Sequence, residues 1–163
     1  MDRFEDFLDL LDYPVYVVTA AADGERAGCL VGFAGQTSID PARFTVWISR
    51  ANHTHRIALR APVLGVHLLD SGRPGGRALA ELFGGRTGDE VDKFAAVPWE
   101  PGPAGVPLLT GVPARFAARV VARTDGGDHT GHILEPLTTL VRDGTARPLS
   151  YRDVATLDPG HPA

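Results

Sequence analysis

YPVYVVTAAADGERAGCLVGFAGQTSIDPARFTVWISRANHT, residues 13–54, holds three apolar runs separated by turn-forming residues. Val15, Val17, Val18 and Thr19 are β-branched, and Asp23-Gly24 is a strong tight-turn pair, so residues 13–21 and 25–33 are expected to form an antiparallel hairpin. Thr37-Ser38-Ile39-Asp40-Pro41 then reads as a turn, residues 44–49 as a third strand, and Asn52-His53-Thr54 as the loop after it.

Working outward, Phe4, Phe7, Leu8 and Leu11 recur at helical spacing, which predicts a short amphipathic helix over residues 2–11 that caps an apolar surface. Residues 54–59 favour a short helix that Pro62 stops, residues 63–69 a fourth strand, and residues 78–83 a helix ended by Gly84-Gly85. The Pro- and Gly-rich segment 97–111 reads as an irregular surface loop. Residues 114–123 and 129–141 carry the last two strands, with Asp125-Gly126-Gly127 as a second hairpin signal, and the tail from about Asp158 reads as frayed. Six short strands, tight turns and few helices point to an all-β antiparallel barrel, because the connections are too short for parallel crossovers.

At 163 residues the chain fits one domain, residues 1–163, with a real core. Sixteen basic against twenty acidic residues and no Lys/Arg cluster argue against nucleic acid as a partner. No apolar run reaches the roughly 20 residues of a membrane helix, and the acidic start Met1-Asp2-Arg3 lacks the form of a signal peptide. A lone Cys29 closes no internal disulfide, so the expected compartment is the cytoplasm. The 19 glycines and 13 prolines suit a fold with many turns.

The hairpin, the Ser38-x-Asp40-Pro41 turn, the strand after it and the Asn52 loop come in an order that resembles the flavin reductase-like family of FMN-binding split barrels. Two later marks, Asp92-Lys93-Phe94 after a Phe-containing helix and Asp128-His129 opening a late strand, extend the resemblance over about residues 13–135. A departure is Leu134 before Glu135, where members often have Gly. The resemblance implies a six-stranded Greek-key split barrel, a homodimer, FMN (with FAD as the alternative) as cofactor, NADH or NADPH as co-substrate, and a separate monooxygenase as one recipient of reduced flavin.

It also implies site residues: backbone at Cys29, Leu30 and Val31 against the flavin ring, hydroxyls of Thr37 and Ser38 toward the ribityl chain and phosphate, Phe83 on the closing segment, and His129 beside the nicotinamide or flavin. From the residues alone, Asn52 and Thr54 can cap the helix that follows, and Arg56 adds positive charge, so this loop is a second phosphate candidate. The expectation is a phosphate held between the Thr37-Ser38 loop and the Asn52 to Arg56 loop. Structural alternatives stay open for each: an ordinary Asp-Pro turn, plain helix capping, glycine bulges at a barrel corner, a core role for Phe94, and an Asp-turn at Asp128-His129. A flavin-binding module without turnover is a rival in function, and a metal-dependent hydrolase on His53, His55, Asp128 and His129 has only residue identity behind it.

Overall fold

The computed structural model describes residues 2–85 and 92–156; the expectation of a frayed tail from about Asp158 lies outside them. After a one-turn helix α1 (Phe4–Leu8), strands β1 (Tyr16–Ala22) and β2 (Glu25–Val31) form the expected hairpin, with Ala22 opposite Glu25. Asp23 (φ 52°) and Gly24 (φ 78°) both take the left-handed conformation that a two-residue type I′ turn requires. Strands β3 (Ala34–Ser38) and β4 (Arg43–Ser49) follow, then α2 (His53–Ala58), β5 (Val63–Leu68) and α3 (Pro74–Gly84). A 3₁₀ turn (Lys93–Ala95) leads into the short strands β6 (Trp99–Pro101) and β7 (Pro107–Leu109), the long hairpin β8 (Ala114–Asp125) and β9 (His129–Val141), and a final turn of helix α4 (Tyr151–Val154).

Seven strands form one antiparallel sheet in the order β2-β1-β5-β8-β9-β4-β3. Its two edges, β2 and β3, are consecutive in the chain, and Cys29 and Val31 of β2 share one core with Val46 and Ile48 of β4, so the sheet curls back on itself. The all-β antiparallel barrel class is as expected; the additional strand is β3, which holds Thr37 and Ser38 and which the sequence presents as a turn. Its pairing with β4 is irregular between Gln36 and Ser38, which blurs the alternation that marks a strand.

The barrel interior is filled by Val18, Cys29, Val46, Ile48, Leu64 and Leu134, with Ile57 and Ala58 of α2 packed into it. A second core lies outside the barrel, where Val15 and, from β1, Val17 meet Ala80 and Phe83 of α3, Phe94, Leu109 and Val154. Strand β1 is therefore covered on both faces, which explains its nearly continuous apolar run.

Two expectations are corrected. Residues 97–111 are not an irregular surface loop: β6 and β7 pair, and Val106, Leu108 and Leu109 are buried. Polar atoms of β1 and β5 hold that ribbon down. Thr19 Oγ1 donates to Pro107 O at 2.6 Å, and the buried His67 ring bridges Val17 O at Nδ1 and Leu109 N at Nε2, both at 2.9 Å. Because Leu109 N donates to Nε2, Nδ1 carries the proton and donates to Val17 O. The second correction concerns α1, which caps no apolar surface among the described residues: Phe4 and Phe7 are 59% and 58% exposed, and no residue of the helix is buried.

Candidate functional site

Where β2 bends toward β3, its last residues and the end of β4 enclose a cavity of about 290 Å³, at the small end of the roughly 300–1,000 Å³ usual for ligand pockets. Cys29, Leu30, Val31, Gly32 and Phe33 form one side; Trp47, Ile48, Ser49 and Asn52 form the other; Gly84, His129 and Tyr151 stand at its margin. The alternation of β2 divides these roles. Cys29 and Val31 face the barrel core, while Leu30 packs on the outer core beside Gly84. Burial raises the Cys29 thiol to about 11, with Thr54 as its hydrogen-bond partner, so the sulfur is a core group and not a nucleophile.

Aromatic rings frame the opening. Tyr13 stacks on Tyr151 (centroids 5.1 Å apart, planes 18° apart) and leans on Phe33 at 6.3 Å, and Phe33 in turn meets the His129 ring at 5.0 Å. Trp47 lies against Gly126 and Gly131, where a Cβ would come within 2.4 and 2.8 Å of the indole; the two glycines make room for it. The cavity continues, through Tyr13, Gly32, Phe33 and Tyr151, into a groove of about 740 Å³ bounded by Leu8 and Leu11 near α1.

Polar groups are few and placed at the edges. Asn52 caps α2, its Oδ1 accepting from Thr54 N at 2.9 Å, which leaves the side-chain NH2 as a donor at the cavity. His129 is about 25% exposed, and its Nδ1 lies 2.7 Å from Asp128 Oδ1. That hydrogen bond holds the Asp128 carboxyl below its usual range. An ionised carboxylate fixes the Nδ1 proton and so presents Nε2 as the free ring nitrogen.

Of the expected site residues, Cys29, Leu30, Val31, Asn52 and His129 come together here. Thr54 is buried beneath the site against Cys29. Phe83 is a correction: it is buried in the outer core, packed on Phe94 at 5.7 Å, and its neighbour Gly84 is the residue at the cavity. Arg56 also lies off the cavity, with Nη2 2.7 Å from His53 Nδ1. Thr37 and Ser38 are elsewhere as well. Thr37 Oγ1 meets Thr45 Oγ1 at 3.0 Å, and Ser38 pairs with Arg43 at the start of β4, whereas Asn52 follows its end. A seven-residue strand spans about 20 Å, so within one chain a single phosphate cannot touch both loops. The loops before and after a single strand lie at opposite ends of it, and the expected placement is corrected on that ground. Among the described residues no three His, Cys, Asp or Glu side chains converge as a metal site.

Tyr13, Phe33, Trp47, Tyr151 and Ser49 were not assigned from sequence. Trp47 had a readable signal, since it alternates with the inward Val46 and Ile48. Tyr151 had none, being brought to the site by contacts distant in sequence, among them Tyr151 N donating to Tyr13 O at 2.8 Å and Val15 N to Leu149 O at 3.0 Å.

Residues 8–157 match the model of the flavin reductase like domain, which covers nearly the whole chain. The chain belongs to this family. It is 29% identical to a ferric-chelate reductase (NAD(P)H) of Archaeoglobus fulgidus, over 92% of this chain and 88% of that one. A flavin reductase (NADH) of Kitasatospora aureofaciens is 34% identical over 79% of this chain and 66% of its own length. Among solved structures, an FMN-binding protein from Thermus thermophilus with bound 1-cyclohex-2-enone superposes with a TM-score of 0.75 at 25% identity, covering 85% of this chain and 78% of that one. No helix among the described residues is long and apolar enough to cross a membrane.

Proposed function

We propose that the protein is an NAD(P)H-dependent flavin reductase whose flavin ring lies in the cavity between the ends of β2 and β4. The observation that carries this is the cavity itself: apolar walls at Leu30, Val31 and Ile48, aromatic rings at its mouth, and hydrogen-bonding groups only at the rim, which fits a flat ring with polar edges. When bound, FMN supplies the acceptor for a hydride from the nicotinamide. Cys29–Val31 present backbone to the ring, the Asn52 NH2 donates to the cofactor at the α2 end, and Phe33 and Trp47 exclude water from the mouth. His129, held by Asp128, orients the dinucleotide through Nε2 and need not move a proton. The phosphate falls at the Asn52 end and not at Thr37 and Ser38.

Oxidation of NADH or NADPH, followed at 340 nm with excess FMN, tests the activity; no turnover with tight flavin binding would favour an FMN-binding module without turnover. His129→Ala is expected to raise the KM for NAD(P)H about ten- to a hundredfold, the size of one polar contact, with FMN affinity nearly unchanged. Unchanged kinetics would leave His129 as a turn residue.

The proposal includes a homodimer, a cytoplasmic setting and transfer of reduced flavin to a monooxygenase. Phe4, Phe7, Leu8, Leu10 and Leu11 are exposed in one N-terminal stretch, and Phe33 is exposed at the mouth of the site, which suits burial against a second copy. Sedimentation at micromolar concentration is expected to show twice the 17.3 kDa chain mass, and a persistent monomer that binds FMN tightly would contradict it.

A further inference from the structure

Lys93 is 5% exposed. Its Nζ donates to Gly28 O and to Phe83 O, each at 3.1 Å, and sits 5.5 Å from the Phe83 ring centroid. Among the described residues no carboxylate forms an ion pair with it. Burial draws its pKa below the ordinary lysine value. Burying an ammonium is costly, and a neutral donor would join two carbonyls with a smaller desolvation penalty. The position of the charge therefore asks for a reason.

Its two acceptors supply one. The Gly28 peptide leads directly into Cys29 and Leu30, the Phe83 peptide into Gly84, and all three of those residues line the flavin cavity. The two segments are in contact, for a Cβ on Gly84 would lie 2.8 Å from Leu30 Cδ2. They are also tightly backed, since a Cβ on Gly28 would lie 2.7 Å from Phe83 Cε1 and 3.3 Å from Phe94 Cζ. Asp92 Oδ1 accepts from Phe94 N at 3.1 Å and so starts the 3₁₀ turn that delivers Lys93 to this place.

We propose that Lys93 is a positioning residue of the flavin site: its ammonium clips the Gly28 and Phe83 carbonyls together, sets the spacing of the two wall segments that follow them, and holds a positive charge behind the wall facing the ring. This rests on the flavin reading of the cavity. A cation behind the wall favours the ring when it gains electrons, so the charge acts on the reduction potential as well as on affinity.

The test uses the full chain, with Lys93→Met removing both donors and charge and Lys93→Gln keeping a donor without charge. FMN affinity is read by quenching of flavin fluorescence, the midpoint potential of bound FMN by dye equilibration, and folding by thermal melting with and without FMN. Lys93→Met is expected to raise the Kd about tenfold or more, the loss of a charge-assisted contact, and to shift the potential to more negative values. Lys93→Gln is expected to recover part of the affinity and none of the potential. Folded variants with the parental Kd and potential would overturn the proposal, as would failure of both variants to fold in saturating FMN, which would make Lys93 a residue of the fold alone. Parental protein that binds no FMN would instead remove the flavin reading on which the proposal stands.

Discussion

Replacing His67 with phenylalanine is expected to cost about 4 kcal/mol of folding stability, because it strips the partners from two buried backbone groups at roughly 1–3 kcal/mol each. The ring joins Val17 O of β1 to Leu109 N of β7 from a fully buried position on β5, so no water can replace it. That is a large share of the 5–15 kcal/mol typical of a domain. The same burial makes stability depend on pH. Burial holds the His67 pKa at about 4, and His132 is likewise held at about 4, first by burial and then by Arg123 and His55. In the unfolded chain both would take up a proton near 6.5, so between pH 6.5 and 4 the unfolded state binds more protons than the folded one. Stability is therefore full above pH 6.5 and falls as pH drops through that window, by up to about 3 kcal/mol per histidine. Urea midpoints measured from pH 7.5 to 4 should decline across this range. A flat profile, or a His67→Phe protein as stable as the parent, would contradict the role given to the ring.

The second large effect is on flavin affinity. Gly84 ends α3 at the cavity margin, and any side chain there meets Leu30 first. Gly84→Phe is expected to fill the cavity and raise the FMN Kd at least a hundredfold, while the overpacking costs about 1–3 kcal/mol of stability and leaves the fold intact. Ser38→Ala is the matched control, since Ser38 lies at the far end of β4 and its loss should leave the Kd within about twofold. Fluorescence titration of both variants reads the contrast directly. Equal affinities for Gly84→Phe and the parent would place the ring elsewhere.

Much of the fold was legible because the turns carry their own chemistry. Asp23-Gly24 and Asp125-Gly126-Gly127 both end as tight hairpin turns, and the strands flanking them differ from expectation by a few residues. Local signals failed where packing decided. Residues 97–111 look like a loop because their prolines and glycines hide a strand pair, and groups far away in sequence, Thr19 and His67 among them, hold that pair in place. The start of α3 was missed because Pro74-Gly75-Gly76 resembles a turn, although Pro is well suited to a first helical position. At the site, the β2 segment and Asn52 were readable as a backbone edge and a cap. The phosphate placement failed on geometry, since composition does not record that one strand separates its two flanking loops. Lys93 was visible only as part of a motif, and its burial against two carbonyls is a tertiary fact.

A crystal structure of the full chain grown with FMN tests the central claim most directly. The tricyclic ring is expected between Leu30 and Trp47, in contact with the Cys29–Val31 backbone, with Asn52 toward the ribityl phosphate and His129 at the open edge. Flavin bound instead beside Thr37 and Ser38, or in the separate cavity of about 710 Å³ near Arg73 and Arg142, would contradict it.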